Sequence, residues 1–212
     1  MNTIQDLVRA PIAGIETVDT AEGLRAIANE GCAAAVWERP PLPGMQAWID
    51  RLDPDLLPEA RIILRPDEVC EAVVAICDDC GTPAGPERAL LADDTAALAE
   101  LFARLMDTSY LRLRFDVVDT DACRRFHIDA VRARLICTYR GTGTHYGTTV
   151  DGEDPNPIFT APTGSPLILR GTLWPETPSA GLRHRSPPIQ GTGETRLLLV
   201  LDPVNGPNED YR

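Results

Sequence analysis

The chain contains no lysine, so all 20 of its basic side chains are arginines. They are outnumbered by 32 acidic residues, which gives a net charge of −12. The excess of acid is confined to the first half: residues 1–100 hold 7 arginines and 19 acidic residues, whereas residues 101–212 hold 13 of each. Because an acidic surface repels phosphate backbones, the sequence argues against a nucleic-acid partner.

Long apolar runs are also missing. No stretch approaches the roughly 20 apolar residues that a transmembrane helix needs. The first six residues lack the basic patch and apolar stretch of a secretory signal. We therefore expect a cytoplasmic protein without a membrane partner. Its 212 residues, 43% of them hydrophobic, are sufficient for one folding unit with a sizeable core.

The six cysteines form no disulfide framework, because a protein of the cytoplasm keeps its thiols reduced. Cys77 and Cys80 are the only close pair, and Cys70 precedes them on one helical face. A Cys-x-x-Cys pair supplies half of a zinc site, but no second pair or nearby histidine completes the set of four ligands. The sequence thus favours thiols packed on a helix as small hydrophobes, with a zinc site as the alternative.

Residues 1–110 predict a support region of mixed helix and strand. Helical patterns cover 20–29, 45–52, a segment after Pro66 and 93–106, and strand patterns cover 32–37 and 60–65. In the clearest helix, 93–106, Asp93 and Asp94 are the candidate N-caps. Its apolar stripe consists of Leu98, Leu101, Phe102 and Leu105.

From residue 111 the apolar pattern changes from helical spacing to alternation, which is typical of strands. Eight short strands in fewer than a hundred residues predict a β-barrel or sandwich over 111–212, and an α+β fold for the whole chain. The predicted strands cover 111–118, 125–129, 134–139, 145–150, 157–160, 166–169, 181–185 and 196–201.

All three histidines lie in this β-rich half. His127 and Asp129 are two residues apart, so on a strand their side chains leave the same face. His184 follows 55 positions after Asp129. Two imidazoles and one carboxylate on one face of a metal leave its other positions open, as in non-haem Fe(II) oxygenases. The alternative is a buried hydrogen-bonded His-Asp pair. His145 is treated as a loop histidine outside the triad.

Arg196 opens the apolar strand Arg-Leu-Leu-Leu-Val-Leu, twelve positions after His184. An arginine that enters such a strand needs either an anionic partner or solvent. We therefore expect Arg196 to be paired with an anion if its side chain is buried.

The order His-x-Asp, distal histidine and following arginine resembles the iron(II)- and 2-oxoglutarate-dependent oxygenases over roughly residues 111–202. The resemblance implies a double-stranded β-helix, a cupin-like jelly roll, with Fe(II) bound by His127, Asp129 and His184. It also implies that Arg196 pairs with the distal carboxylate of 2-oxoglutarate. Thr138 and Tyr139, on a neighbouring strand, are candidate further contacts to the cosubstrate.

A closer resemblance, over most of the chain, is to an uncharacterised family of bacterial proteins. The residues that carry it are Phe-His-Ile-Asp at 126–129, the following segment up to Thr144, and His-Arg-Ser-Pro at 184–187. This resemblance implies a bound metal and leaves catalysis open.

Two functions of different classes follow. The first is an oxygenase that acts on a small molecule or a peptide; the concentration of arginines in the second half favours an anionic substrate. The second is a non-catalytic zinc- or metal-binding protein of metal homeostasis with the same ligands, since Zn(II) also accepts two histidines and a carboxylate. A hydrolase with a metal-activated water is a weaker third. Arg196 separates the first two, because a metal carrier does not need it.

Overall fold

A computed structural model of the protein describes residues 14–149, 153–175 and 181–209. Over these residues the fold is mixed α+β. The strands are β1 (Ile15–Val18), β2 (Ala34–Trp37), β3 (Ala60–Leu64), β4 (Tyr110–Val118), β5 (Ala133–Arg140), β6 (His145–Thr148), β7 (Phe159–Thr160), β8 (Pro166–Arg170), β9 (Leu182–Arg185) and β10 (Arg196–Val204). The helices are α1 (Met45–Ile49), α2 (Val69–Asp79) and α3 (Pro86–Met106), with short 3₁₀ segments at Glu22–Ala28, Pro54–Leu56 and Pro66–Glu68.

The larger of two sheets has seven strands in the order β1-β2-β8-β5-β10-β4-β3. All of its neighbouring strands are antiparallel except β1 and β2. Strand β10 pairs with β4 on one side and with β5 on the other, so it lies in the middle of the β-rich half. Strands β1, β2 and β3 come from the first hundred residues. The support region and the β-rich half therefore share one sheet.

The smaller sheet has three strands in the order β7-β6-β9. One isolated antiparallel bridge joins His127 to His184 on the free side of β9. The strand predicted at 125–129 is thus reduced to this bridge. After this bridge, the carbonyls of Asp129 and Arg132 accept hydrogen bonds from the N–H groups of Thr172 and Gly171 instead. The chain therefore leads away from β9.

The large sheet separates two apolar clusters, because side chains alternate along each strand. On β10, Leu197, Leu199 and Leu201 pack on the side of the helices. Leu198 and Val200 point the other way and pack with residues of the small sheet. We call this second space, between the two sheets, the interior. A site built by both sheets has to open into it.

Helix α3 packs on the helical side of the large sheet through buried residues such as Leu98 and Phe102. It begins at Pro86, seven residues before the predicted start, because proline at the first helical position needs no hydrogen bond there. The prediction that Asp93 or Asp94 caps the helix was therefore wrong. No helix in the described parts of the chain is long and apolar enough to cross a membrane.

The six cysteines are free thiols. Cys77 is buried in the core beneath α2, while the Sγ of Cys70 lies 3.7 Å from Asp93 and that of Cys80 lies 3.8 Å from the carbonyl oxygen of Glu59. Within the described residues these three thiols are not part of a cluster of three or more metal-binding groups. The structure thus gives the alternative zinc site no support.

Candidate metal centre

Three side chains converge on one point at the edge of the small sheet. The ligand atoms of His127, Asp129 and His184 all lie within 4.8 Å of one another. Nε2 of His184 is 3.1 Å from Oδ2 of Asp129, and Nε2 of His127 is 3.7 Å from Oδ1 of the same carboxylate. Donor atoms that share one metal at about 2.0 to 2.2 Å stand about 3 to 4 Å apart. The spacing therefore fits one ion with little rearrangement.

Backbone pairing brings the two histidines together. The N–H of His127 donates to the carbonyl of His184 at 3.0 Å, and the N–H of His184 donates back at 2.9 Å. Residues that exchange both bonds face each other across an antiparallel pair, so their side chains leave the same face. Asp129, two residues further along, is on that face as well. The fold thus unites residues that are 57 positions apart in the sequence.

The position of Asp129 depends on a close approach by Gly171. The N–H of Thr172 donates to the carbonyl of Asp129 at 2.9 Å. A Cβ atom at position 171 would lie 2.0 Å from the carbonyl oxygen of Val131 and 2.8 Å from that of Asp129. Only glycine allows the two backbones this proximity. The segment that carries the carboxylate is therefore fixed by its backbone.

The hydrogen bond of His127 determines which of its nitrogens faces the site. Nδ1 lies 2.9 Å from the carbonyl oxygen of Arg125. Since a carbonyl only accepts, Nδ1 carries the hydrogen and Nε2 keeps its lone pair. A metal-binding histidine is oriented in this way, with one nitrogen donating to the protein and the other binding the ion.

His184 is buried, with 5% of its surface exposed, and burial lowers its pKa below the ordinary value of 6.5. The ring is thus neutral at neutral pH. The neighbouring Oδ2 of Asp129 lies 3.1 Å from Nε2 of His184 and is buried without a hydrogen-bond partner among the described residues. An unsatisfied buried carboxylate oxygen beside two imidazoles is a donor set for a divalent metal. The residues therefore fit such an ion.

Arg134 holds the carboxylate from the other side. Its Nη1 donates to Oδ1 of Asp129 at 2.7 Å, and its Nε and Nη2 donate to the two oxygens of Asp202 at 2.7 and 2.8 Å. Burial raises the pKa of Asp129, but the contacts with His184, Arg134 and His127 outweigh it and hold the pKa at about 2. The carboxylate is consequently ionised and ready to bind a cation.

Arg196 lies at the opposite end of β10 and is fully buried. It is paired in register with Val118, which packs against the interior cluster, so its side chain enters the interior. Nε donates to the carbonyl of Thr142 at 2.6 Å. Nη1 and Nη2 have no hydrogen-bond partner in the part of the chain that the structure describes. The Arg196 side chain is therefore a buried cation whose outer nitrogens lack an anion.

Two carboxylates that could neutralise Arg196 are committed elsewhere: Glu194 next to it, and Asp202 at the other end of β10. Glu194 accepts from the N–H and the hydroxyl of Thr142 at 2.6 and 3.0 Å. Asp202 is paired with Arg134. Burial consequently lowers the pKa of Arg196 to about 10, although Glu194 opposes this. The environment thus penalises the charge of Arg196 and would favour an incoming anion.

Buried apolar side chains lie in the interior between the metal centre and Arg196. The core residues on the helical side of β10, Leu197, Leu199 and Leu201, are 0% exposed. The apolar residues that face the interior keep some exposure: Leu198 8%, Ile136 6%, Tyr146 5% and Val200 4%. Because the interior-facing positions of β10 run from Asp202 to Arg196, Leu198 and Val200 lie along the line that joins the two ends.

The structure separates the two predicted cosubstrate contacts on β5. Thr138 is paired in register with Leu198, so it faces the interior, where it is 2% exposed. Tyr139 points to the helices and donates its hydroxyl to Asp94 at 2.7 Å. The prediction that Tyr139 contacts a cosubstrate was therefore wrong, because successive residues of a strand leave opposite faces.

His145 stands outside the cluster. It is paired in register with Arg185, whereas its neighbour Tyr146 is paired with His184, so His145 leaves the opposite face of the small sheet. Arg185 also leaves that face, as its sequence position predicts, and its guanidinium lies 4.4 Å from the centre of the Phe126 ring. The third histidine is thus excluded from a shared metal site.

Sequence reasoning did not identify the role of Arg134. The sequence marks it only as one of several arginines near the ligands. Its contacts with Asp129 and Asp202 depend on the register of β5 against β10, which places positions 134 and 202 on the same face of adjacent strands. No local pattern encodes that register.

Comparison with solved structures identifies relatives of the fold. The dioxygenase for auxin oxidation 1 from Arabidopsis thaliana, in a binary complex with 2-oxoglutarate, superposes with a TM-score of 0.52 and 10% sequence identity over 95% of this chain and 96% of that chain. The dioxygenase for auxin oxidation from rice gives a TM-score of 0.50 and 15% identity over 92% of this chain and 84% of that chain. At such identities the likeness establishes the fold alone.

The sequence itself was compared with curated proteins and with family models. No curated protein matches it significantly. One family model, described as "Protein of unknown function (DUF1826)", matches residues 18–202, which is most of the chain. The protein therefore belongs to the DUF1826 family.

Proposed function

We propose that the protein is an Fe(II)- and 2-oxoglutarate-dependent oxygenase. The observation that carries this proposal is the fully buried Arg196, whose Nη1 and Nη2 have no partner among the described residues. A non-catalytic metal carrier needs only the three ligands. A dicarboxylate cosubstrate needs a metal for one end and a cation for the other.

The proposed fold is a double-stranded β-helix. From β4 onward, the chain passes from one sheet to the other at each step except between β6 and β7, which are neighbours in the small sheet. Strands β4, β5, β8 and β10 belong to the large sheet, and the His127 segment, β6, β7 and β9 belong to the small one. A jelly roll has eight strands in two such facing sheets. The metal centre and Arg196 then lie in the space that the two sheets enclose.

Nε2 of His127, Nε2 of His184 and Oδ2 of Asp129 would hold Fe(II) on one face. The opposite face stays open for cosubstrate and oxygen. Fe(II) with 2-oxoglutarate supplies the oxidation of a substrate C–H bond by dioxygen, coupled to oxidative decarboxylation of the cosubstrate. The role of the chain is to position these components and to exclude water.

Arg196 would bind the far carboxylate of 2-oxoglutarate through its two free nitrogens, in the bidentate geometry that guanidinium favours. Thr138 lies on the same side of the sheet and can offer its hydroxyl. We place the cosubstrate along the interior face of β10, between Arg196 and the metal centre. Leu198 and Ile136 line this path with apolar surface and would keep water out.

The alternative is a zinc- or metal-binding protein that uses the same ligands without catalysis. One specific observation favours it: two imidazoles and a carboxylate accept Zn(II) as readily as Fe(II). It leaves Arg196 unexplained, since a buried cation without an anion is costly.

Anaerobic reconstitution separates the two functions. Metal-free protein would be loaded with one equivalent of Fe(II), then titrated with 2-oxoglutarate while its visible spectrum is followed. The oxygenase predicts a weak charge-transfer band that saturates with 2-oxoglutarate, and succinate formation after oxygen is admitted. Binding of one Fe(II) per chain without such a band would favour the metal-binding alternative. Succinate added in place of 2-oxoglutarate controls for general carboxylate effects, because it cannot chelate the metal in the same way.

A further inference from the structure

The small sheet has a back face, turned away from the interior, on which the strand register gathers basic side chains. His145 of β6 and Arg185 of β9 are paired in register and leave this face. Arg183, two residues before Arg185, leaves it as well. On the other side of β6, Thr160 of β7 is directly opposite His145. Residues that face each other across paired strands have Cβ atoms about 4.5 to 5.5 Å apart. We call these four residues the back-face cluster.

The two arginines of the cluster have no counter-charge among the described residues. No carboxylate there forms an ion pair with Arg183 or Arg185. The guanidinium of Arg185 lies 4.4 Å from the centre of the Phe126 ring, and its Nε is buried without a hydrogen-bond partner in the part of the chain that the structure describes. An aromatic ring attracts a cation but does not neutralise it. Both guanidinium groups therefore keep an unbalanced positive charge.

The acidic side chains of the neighbouring segments do not supply this charge. Asp121, on the segment that leads to Phe126, accepts hydrogen bonds from the backbone N–H groups of Ile189 and Gln190 at 2.8 Å each. Glu153 and Asp154 are exposed, and neither is within ion-pairing distance of the arginines of the cluster in the described structure. The back face is thus locally positive in a chain with a net charge of −12.

His145 reports the same imbalance. Its Nδ1 is buried without a hydrogen-bond partner among the described residues. Burial and the charges of Arg185 and Arg196 lower the pKa of this imidazole below 6.5. Both of the charges that act on the ring are positive, so an anion placed beside it would be stabilised. The neutral ring can offer one N–H to such an anion.

The chain borders the cluster on two sides. Gly147 is two residues from His145 on the same strand and is paired with Arg183. A Cβ atom at position 147 would lie 2.6 Å from the Cβ of Pro155 and 2.7 Å from the carbonyl oxygen of Pro157. The segment 155–157 therefore lies against the back face at this point. The Phe126 ring flanks Arg185 on the side of the sheet edge. The cluster is consequently a recess between these two walls.

We propose that the back-face cluster binds a phosphate or carboxylate group of a small molecule. Arg185, oriented by the ring of Phe126, and Arg183 would supply the charge, because guanidinium groups bind both kinds of oxyanion through paired hydrogen bonds. The His145 ring and the Thr160 hydroxyl add neutral donors. The negative charge of the chain as a whole would repel such an anion elsewhere and favour this face. The site lies behind the metal centre and depends on neither the metal nor the oxygenase.

The test follows the imidazole ring signals of the three histidines by nuclear magnetic resonance in the metal-free protein. The protein is titrated with sodium phosphate and, separately, with sodium acetate, while sodium chloride holds the ionic strength constant at fixed pH. The spectrum of His145→Ala identifies the His145 signal. We expect a saturable shift of this signal with at least one oxyanion and none with chloride alone. The ratio of the two affinities distinguishes a phosphate site from a carboxylate site. No saturable shift with either at millimolar concentration would overturn the inference.

Variants then locate the anion. Arg185→Gln should weaken its binding about tenfold or more, the usual effect of losing a charge-assisted hydrogen bond. Arg183→Gln should do the same while it leaves the contact of Arg185 with Phe126 intact, so the test survives if the first variant is unstable. Arg104→Gln, which changes an exposed arginine of α3, is the matched control and should bind as the parent does.

Arg196→Ala separates this site from the proposed cosubstrate position, because Arg196 also acts on His145. It should leave the anion-dependent shift in place. Loss of the shift in Arg196→Ala, with parental affinity in Arg185→Gln and Arg183→Gln, would place the anion at Arg196, and the inference would fail. Since the titration contains no metal, its result stands apart from that of the reconstitution with Fe(II) and 2-oxoglutarate.

Discussion

Arg134 donates Nη1 to Oδ1 of Asp129 at 2.7 Å, and Oδ2 is thereby the oxygen that stands closest to His184. The same guanidinium is fixed by Asp202, which is 2% exposed. The metal-binding carboxylate thus has one oxygen bound to the protein and the other available. A carboxylate oriented in this way loses less freedom when it binds an ion.

The first prediction concerns this orientation. Arg134→Met should weaken metal binding about 10- to 100-fold, as expected when a group that holds a ligand in place is removed. Competition with a chromophoric chelator measures the affinity. The single change leaves the Asp202 carboxylate buried without its partner, which could unfold the protein. The double variant Arg134→Met, Asp202→Leu removes that unpaired charge, so it tests metal affinity without this effect on folding. Metal affinity equal to that of the parent in both variants would contradict a positioning role.

A second prediction compares His184, a residue of the metal centre, with His145, which lies outside it. His184→Ala should remove metal binding, because two donors remain where three are needed. His145→Ala is the matched control: its side chain leaves the opposite face of the small sheet, so it should retain one metal per chain. Metal content after anaerobic loading and desalting decides the result. Loss of the metal in His145→Ala would place the site elsewhere.

Arg196 gives a third prediction, on cosubstrate binding. Arg196→Ala should weaken 2-oxoglutarate binding by about 2 to 5 kcal/mol, the usual effect of removing one partner of a buried charge pair. Metal affinity should be nearly unchanged, whereas Asp129→Ala should abolish metal binding. Titration of the Fe(II) protein with 2-oxoglutarate measures cosubstrate binding, and competition with a chromophoric chelator measures metal affinity. Arg104→Ala, which removes an exposed charge, is the control. Equal affinity in Arg196→Ala and the parent would leave the protein without a cosubstrate anchor.

The same residue predicts a gain in stability. Without cosubstrate, Arg196→Met replaces a buried cation that lacks an anion by an apolar side chain of similar length, so the variant should be more stable by about 1 to 3 kcal/mol. Urea denaturation of the cosubstrate-free protein measures this. Saturating 2-oxoglutarate should stabilise the parent and leave the variant unchanged. A less stable variant would mean that the bond from Nε to Thr142 outweighs the cost of the charge.

The buried thiols predict the response to alkaline pH. Burial raises the pKa of Cys137 to about 12 and that of Cys32 to about 11, from 9.0. Above pH 9 the unfolded chain releases these protons while the folded one keeps them. Stability is therefore fully present below pH 9 and is lost as pH rises towards 11 and 12, by up to about 1.4 kcal/mol per pH unit for each thiol.

Urea denaturation between pH 8 and 10 tests this. Cys137→Ala should show a smaller loss of stability over that range than the parent, whatever its stability at pH 8. Cys123→Ala, which changes an exposed position, should lose as much stability over that range as the parent does. If the free energy of unfolding fell equally steeply with pH in Cys137→Ala and in the parent, Cys137 would ionise as readily in the folded protein as in the unfolded chain.

The strands of the β-rich half were predictable because each has a local signal. Alternation from residue 111 and the intervening Gly, Pro and Asp residues mark the strands to within a few residues, apart from the 125–129 segment. His127 and Asp129 on one face follow from their spacing by two. The start of α3 was harder to predict, because a proline such as Pro86 is as typical of a loop as of the first turn of a helix.

What the sequence did not reveal depends on register. Nothing in the sequence distinguishes Thr138 from Tyr139 as a cosubstrate contact. In the structure Thr138 faces the interior and Tyr139 faces the helices. Which of the two faces the interior depends on how β5 pairs with β10, and a shift of one residue would exchange them. The contact of Arg134 with Asp202 arises in the same way from the pairing of β5 with β10.

One bridge between His127 and His184 covers the outer side of β9, whose other side is paired with β6. Next to that bridge the N–H of Ser186 donates to the carbonyl of Cys123 at 2.9 Å, so the segment from Cys123 to His127 covers an edge that could otherwise pair with another chain. A metal shared by the two histidines would pin the covering segment in place, and Arg183 and Arg185 on β9 add charges that oppose such pairing. Loss of the ion would therefore affect more than chemistry: it would loosen the protection of an edge strand and make the protein more prone to self-association.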